Sequence, residues 1–187
     1  MQSDLAVVLL AAGQSRRFGE HDKLLTLLEG REIVRHVAEA IGVLAPRWKL
    51  AVCPSADGAL VELLRSMEFE IAVNQCSGEG ISTSVVTGIA QAAKTSAAAA
   101  MICLGDMPFV TARHLRKLQA RFDAETAPAV GSMSNGKRTP PAIFARTLFG
   151  QLMKLRGDRG AGSLLAHSPC VAAPARMLVD IDLPSDL

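Results

Sequence analysis

Eight apolar side chains in succession, Leu5-Ala-Val-Val-Leu-Leu-Ala-Ala12, ended at once by Gly13, constrain this chain more than any other feature. A strand with one face in water alternates apolar and polar residues. A run without alternation is covered on both faces, the condition of strands in a parallel sheet flanked by helices. Residues 97–104 repeat the pattern and end in Gly105-Asp106-Met107-Pro108. Between the two runs, residues 32–44 place Ile33, Val37, Ile41 and Leu44 on one helical face, 48–53 read as a strand, 56–67 as a helix carrying Leu60, Leu63 and Leu64, and 70–74 as a strand. A polar, glycine-rich segment then leads into a helix with Val85, Ile89 and Ala93 inward and Ser82 or Thr83 as its cap. A further helix, capped by Thr111, carries Leu115, Leu118 and Phe122. Strand and helix alternate, so the expected fold class is α/β, a doubly wound sheet whose ligands gather at the carboxyl ends of the strands near the topological switch point.

Beyond residue 127 the alternation loosens. Residues 127–133 with Asn135-Gly136 read as a strand and turn, and Pro140-Pro141 make the following Lys137 to Phe144 stretch an edge or loop feature. Helix-like patterns follow at 145–155 and 161–167, and residues 177–187 read as a short strand delivering Asp180 and Asp182.

The 187 residues, 49% of them hydrophobic, suit a single domain over 1–187 with a full core. Twenty basic against 18 acidic residues leave +2, too little to point to nucleic acid or an anionic membrane, so anion binding has to be local. The four cysteines form no Cys-x-x-Cys pair, which favours a reduced setting. The first apolar run is too short for a membrane span and is preceded by Asp4, so the expected location is cytoplasmic.

Gly13 is followed by Ser15, Arg16, Arg17 and Lys23, donors and positive charge beside bare backbone at a strand end. That is the chemistry of a polyphosphate cradle, though neither a Walker A loop nor a Gly-x-Gly-x-x-Gly fingerprint is present. Asp106 follows a buried strand directly. A carboxylate there suits a hard cation that completes its shell with phosphate oxygens and water, or serves only as a favourable charge at a helix start. Asp180 and Asp182 are a surface turn or the source of a second carboxylate. Ser82, Thr83 and Ser84 cap a helix or touch substrate, and Lys137 and Arg138 form a solvated turn or meet a second anionic group. His36, His114 and His167 read as surface or capping residues, with His21 slightly better placed. Cys76 has no histidine near it in sequence to make it a nucleophile.

With these residues in hand, Leu10-Ala-Ala-Gly-Gln-Ser-Arg-Arg-Phe-Gly19 and Asp22-Lys23 resemble the signature of the MobA-like nucleotidyltransferases, the relatives of the molybdenum cofactor guanylyl- and cytidylyltransferases. Gly78 to Ser84, Leu104 to Pro108, Arg138 to Phe144, Gly157 to Ala161 and Asp180 to Pro184 resemble later family blocks in the same order. The sequence departs from the commoner pattern at Phe18 and in having three residues between Gly19 and Lys23.

The resemblance implies a Rossmann-like three-layer α/β/α nucleotidyltransferase fold with a mostly parallel, mixed sheet. It implies Mg2+ and transfer of a nucleoside monophosphate from a triphosphate with release of pyrophosphate. By it, Leu10, Ala11, Ala12, Gly13, Ser15, Arg16, Lys23, Gly80, Ser82 and Ser84 bind the nucleotide. Lys23, Arg16 and Asp106 are catalytic, Asp106 and Asp182 hold the metal, and Arg138, Gly157 and Asp158 hold the acceptor. Ala-Ala-Gly in place of Ala-Gly-Gly favours CTP as donor and molybdopterin cofactor as acceptor, with a recipient molybdoenzyme or chaperone downstream. GTP or another NTP, a different phosphorylated acceptor, and a noncatalytic cofactor carrier are the alternatives. Carriage needs the anion pocket but not both aspartates.

Overall fold

A strand is buried end to end only if it has a neighbour on each side and a layer of helices over each face. In a computed structural model that describes residues 4–13 and 22–183, β1 (Leu5–Leu10) has both. After a short 3-10 turn at Lys23–Leu25, a small antiparallel ribbon of β2 (Leu27–Leu28) and β3 (Arg31–Glu32) leads into α1 (Ile33–Gly42). Then follow β4 (Trp48–Cys53), α2 (Ala59–Ser66), β5 (Glu70–Val73), α3 (Ile81–Ala93), β6 (Ala99–Leu104) and α4 (Ala112–Arg121). The chain continues through β7 (Ala129–Ser134), β8 (Lys137–Ala145), the single turn α5 (Phe149–Leu152) and β9 (Cys170–Ala172).

The main sheet has seven strands in the order β5-β4-β1-β6-β8-β7-β9, with β8 antiparallel to both neighbours and every other pair parallel. Val7 and Leu9 pack with Ile33, Val37 and Ile41 of α1, Leu64 of α2 and Leu115 of α4 on one face. Ala6, Val8 and Leu10 pack with Val85 and Ile89 of α3 and Phe149 of α5 on the other. Each of the Val, Leu, Ile and Phe side chains contributes about 1.5–3 kcal/mol by leaving water. Helix α3 lies close on the sheet at Gly88, where a Cβ would stand 2.4 Å from Val8 Cγ1. Strand order reverses at β1, with β4 on one side and β6 on the other, which opens a crevice above Leu10 and Leu104.

Four sequence expectations change. Pro140 and Pro141 lie inside β8, an internal strand, not at an edge. A register shift pairs Gly131 with Ala142 and Ser132 with Thr139, so the prolines, joined by a cis bond, face no residue that needs their missing N–H. The expected last strand is a 3-10 turn at Ala175–Leu178 followed by extended chain, tied down where Ile181 N donates to Asp106 O at 2.9 Å. Gly80, at φ +106°, is the residue before α3, and Thr83 sits in the first turn with its hydroxyl on Gly80 O. The helix-like patterns at 145–155 and 161–167 shrink to α5 and short 3-10 turns at Arg146–Leu148 and Ala161–Leu164.

Candidate active site

The turn at Lys23–Leu25 is capped by Asp22, whose Oδ1 accepts from Leu24 N at 2.9 Å. This aims the Lys23 stem inward, leaving 10% of the side chain exposed. Its Nζ donates to Asp106 Oδ2 at 2.7 Å and to Asp182 Oδ1 at 3.2 Å. Burial alone would lower the lysine's pKa, but Asp106 and Asp182 outweigh it and hold it above the ordinary value.

Asp106 stands where β6 leaves the sheet. Gly105 N donates to Leu10 O, which pins the Asp106 turn to the end of β1, and Ile181 N pins Asp182 to Asp106. Three carboxylates thus gather here, Asp106, Asp180 and Asp182. Desolvation of the Asp180 carboxyl, with the negative charges of Asp106 and Asp182 beside it and only Lys23 opposing, pushes its pKa up to about 6.

A cleft of about 380 Å³ opens above these groups, lined among others by Leu10, Ala12, Gly13, Gly80, Ser84 and Asp158. An adjoining hollow of about 250 Å³ shares Leu10, Leu104 and Asp158 with it and continues to Thr139, Pro140 and Gly160. The two form one trough across the carboxyl ends of β1 and β6.

The structure brings together most of the residues expected from sequence. Leu10, Ala12, Gly13, Lys23, Gly80, Ser84, Asp106 and Asp158 line the cleft, and Asp182 reaches it through Lys23. Ala11 turns its side chain into the core beneath α1. Ser82 and Gly157 face a separate cavity behind the 75–80 loop, although Ser82 N donates to Gly157 O at 3.2 Å. Arg138 is exposed and gives its Nε to Ser168 O, so its guanidinium lines neither part of the trough. Ser15, Arg16, Arg17 and His21 lie outside the described residues. Gly13 does not adopt positive φ; it is exposed, with open space where a Cβ would stand.

Sequence reasoning passed over Asn74. It is buried at the end of β5, donates to Ser84 Oγ at 2.9 Å and Thr83 Oγ1 at 3.0 Å, and accepts from Cys76 N. An Asn between a strand and a glycine-rich loop was the available signal. His114, expected at the surface, is buried with its Nε2 on Ser132 Oγ at 2.8 Å. Burial pushes the Cys53 and Cys103 thiols up to about 11 and about 12, which leaves them inert as nucleophiles.

The donor set fits a divalent cation. Asp106 and Asp182 converge on one ammonium, and a third carboxylate beside them resists ionisation, so the pocket has an excess of negative charge for a cation to neutralise. Among the described residues no group of three His, Cys, Asp or Glu side chains could hold a metal by itself. No helix of the described residues is long and apolar enough to cross a membrane.

A model of the MobA-like NTP transferase domain matches residues 7–173. The chain is 31% identical to the purine catabolism protein PucB of Bacillus subtilis (strain 168), over 96% of this chain and 92% of PucB. Rv0371c from Mycobacterium tuberculosis H37Rv superposes with a TM-score of 0.80 at 21% identity, over 100% of this chain and 96% of that one. Its complex with manganese gives a TM-score of 0.75 at 20% identity, over 97% and 95%. Molybdopterin-guanine dinucleotide biosynthesis protein A from Archaeoglobus fulgidus gives 0.70 at 21% identity, over 97% and 94%. These superpositions establish the shared fold.

Proposed function

Since the chain belongs to the MobA-like NTP transferase family, we propose that it transfers CMP from CTP to the terminal phosphate of molybdopterin cofactor and releases pyrophosphate. The observation that carries this reading is the convergence of Lys23, Asp106 and Asp182 where β1 and β6 end, beneath a trough with room for two substrates. PucB is named for purine catabolism and the Archaeoglobus protein for making a molybdopterin dinucleotide; the acceptor follows the second name. The donor follows the Ala-Ala-Gly at the end of β1, where the buried Ala12 borders the cleft.

Asp106 and Asp182 would hold Mg2+, which when bound draws triphosphate oxygens to the site and neutralises their charge. The manganese complex of Rv0371c supports a divalent cation in this fold. In the transfer, an oxygen of the acceptor phosphate forms a bond to the α-phosphorus of CTP as the bond to the bridging oxygen breaks and pyrophosphate leaves. The attacking oxygen is already anionic, so no general base is required, in keeping with the absence of a histidine or reactive thiol among the described cleft residues. Catalysis rests on alignment and charge neutralisation. Lys23 supplies positive charge toward the triphosphate, Gly13 leaves bare backbone for its approach, and Asp158 borders both halves of the trough.

The test is pyrophosphate release from CTP, and separately from GTP, with magnesium and molybdopterin cofactor. Release that requires the cofactor and is faster with CTP is expected. Faster release with GTP overturns the donor, and equal release with and without the cofactor overturns the acceptor.

A further inference from the structure

The hollow that continues the cleft is walled by Thr139 and Pro140; Thr139 pairs with Ser132 of β7, but Pro140 has no partner in the sheet's ladder. Pairing with β6 runs from Ala145 to Ala142 and stops, and pairing with β7 jumps from Ala142 to Thr139. Pro140 and Pro141 therefore face no strand partner, and neither has an N–H to offer. What holds them is a side chain. Ser132 Oγ, on fully buried Ser132, lies 2.7 Å from Pro141 O.

A carbonyl only accepts, so the single hydroxyl proton of Ser132 is committed to it. The 2.8 Å contact between Ser132 Oγ and His114 Nε2 must then run the other way, with His114 donating. This fixes His114 as the Nε2–H tautomer. His114 sits in the first turn of α4, which is joined to Asp106 by a short segment that includes the buried Met107 and Val110. Helix α4, the next element after the Asp106 turn, thus holds the Pro140-Pro141 segment through two successive hydrogen bonds.

We propose that Ser132 and His114 are positioning residues for the acceptor, a buried relay that sets where the Thr139-Pro140 wall stands relative to Asp106. This rests on the reading of the hollow at Pro140 as the acceptor's side of the trough. The relay touches no donor-binding residue, so it separates the two substrates. An ordinary packing role would affect both.

The experiment compares Ser132→Ala, His114→Ala and His114→Gln by steady-state pyrophosphate release, varying molybdopterin cofactor and CTP in turn. Ser132→Ala and His114→Ala are expected to raise KM for the cofactor about tenfold. KM for CTP and kcat at saturation should stay within about twofold. His114→Gln, whose amide can donate near the position of Nε2, is expected to restore the cofactor KM to within about threefold of wild type. Equal rises in both KM values, or a glutamine variant no better than alanine, would overturn the proposal. If the variants do not fold by circular dichroism, long-range 15N NMR of the wild-type protein decides it. An Nε2–H His114 whose signal responds to added cofactor but not to CTP is expected, and an Nδ1–H tautomer or no response to the cofactor overturns it. A chain that releases no pyrophosphate with any acceptor or triphosphate refutes the proposed reaction instead, while the tautomer still reports on the relay.

Discussion

Lys23 Nζ and Asp106 Oδ2 stand 2.7 Å apart although 83 positions separate them in the chain, and Asp182 joins the same ammonium at 3.2 Å. The contact links the turn after β1 to the turn after β6 across the switch point of the sheet. A cation on the protein thus sits among the carboxylates proposed for metal, and the triphosphate and its metal would enter a network in which two carboxylates already share one ammonium.

Lys23→Ala is therefore expected to lower pyrophosphate release by at least about 100-fold. The cost in stability should be about 1–3 kcal/mol, toward the lower end because the Asp182 side chain is 54% exposed. Turnover assays with a parallel urea melt separate the two effects. Near-normal turnover in a folded variant would remove Lys23 from the reaction.

Asp180 gives a pH signature. Its folded pKa of about 6 lies above the ordinary 3.8, so the folded form prefers it protonated. Its contribution to stability is fully present below about pH 4 and is lost as pH rises through 6. Asp180→Asn escapes that loss. The melting temperature of the variant relative to wild type should climb between about pH 4 and 6 and then level off, and a flat difference across that window contradicts the crowding of carboxylates described above.

Ala12→Gly, which gives the end of β1 the Ala-Gly-Gly pattern, is expected to shift the ratio of kcat/KM for GTP over CTP upward by about tenfold. Competition between the two triphosphates in one reaction, followed by product mass, gives the ratio directly. An unchanged ratio would place donor choice elsewhere in the cleft.

Two glycines of the trough should respond in opposite ways to the same substitution. At Gly80, φ is +106° and a Cβ would lie 2.5 Å from the Gly157 carbonyl group, so Gly80→Ala has to part the two loops and should cost about 2 kcal/mol or more. At Gly13 a Cβ meets open space, so Gly13→Ala should leave thermal stability nearly unchanged while raising KM for CTP. If Gly13→Ala binds CTP normally, the triphosphate does not pass close to that backbone.

The layered sheet was legible in the sequence because Leu5 to Leu10 and Ala99 to Leu104 carry no polar residue on either face, and only a doubly covered strand tolerates that. Asp106 was legible for a related reason, since it is the first acid after such a run. Pro140-Pro141 misled because proline is confined to edges or bulges, and nothing local distinguishes the two. The place of Asp182 depends on Ile181 meeting the Asp106 carbonyl, a contact with no periodic trace. His114 looked like part of a polar helix face because its partner, Ser132, lies in a strand whose register is set by the bulge. Arg16 and Ser15, central to the expected phosphate cradle, lie outside the described residues and remain a proposal from sequence.

The hydrogen bond from Ile181 to Asp106 also bears on the order in which the molecule is made. A growing chain that has emerged as far as β9 has all seven strands of the main sheet, yet it lacks the buried Ile181 of the core and the second carboxylate on Lys23. The strands come first and the completed charge network last, so a ribosome-bound or clipped chain stopped before Ile181 would hold every strand of the main sheet and still be deficient at its site.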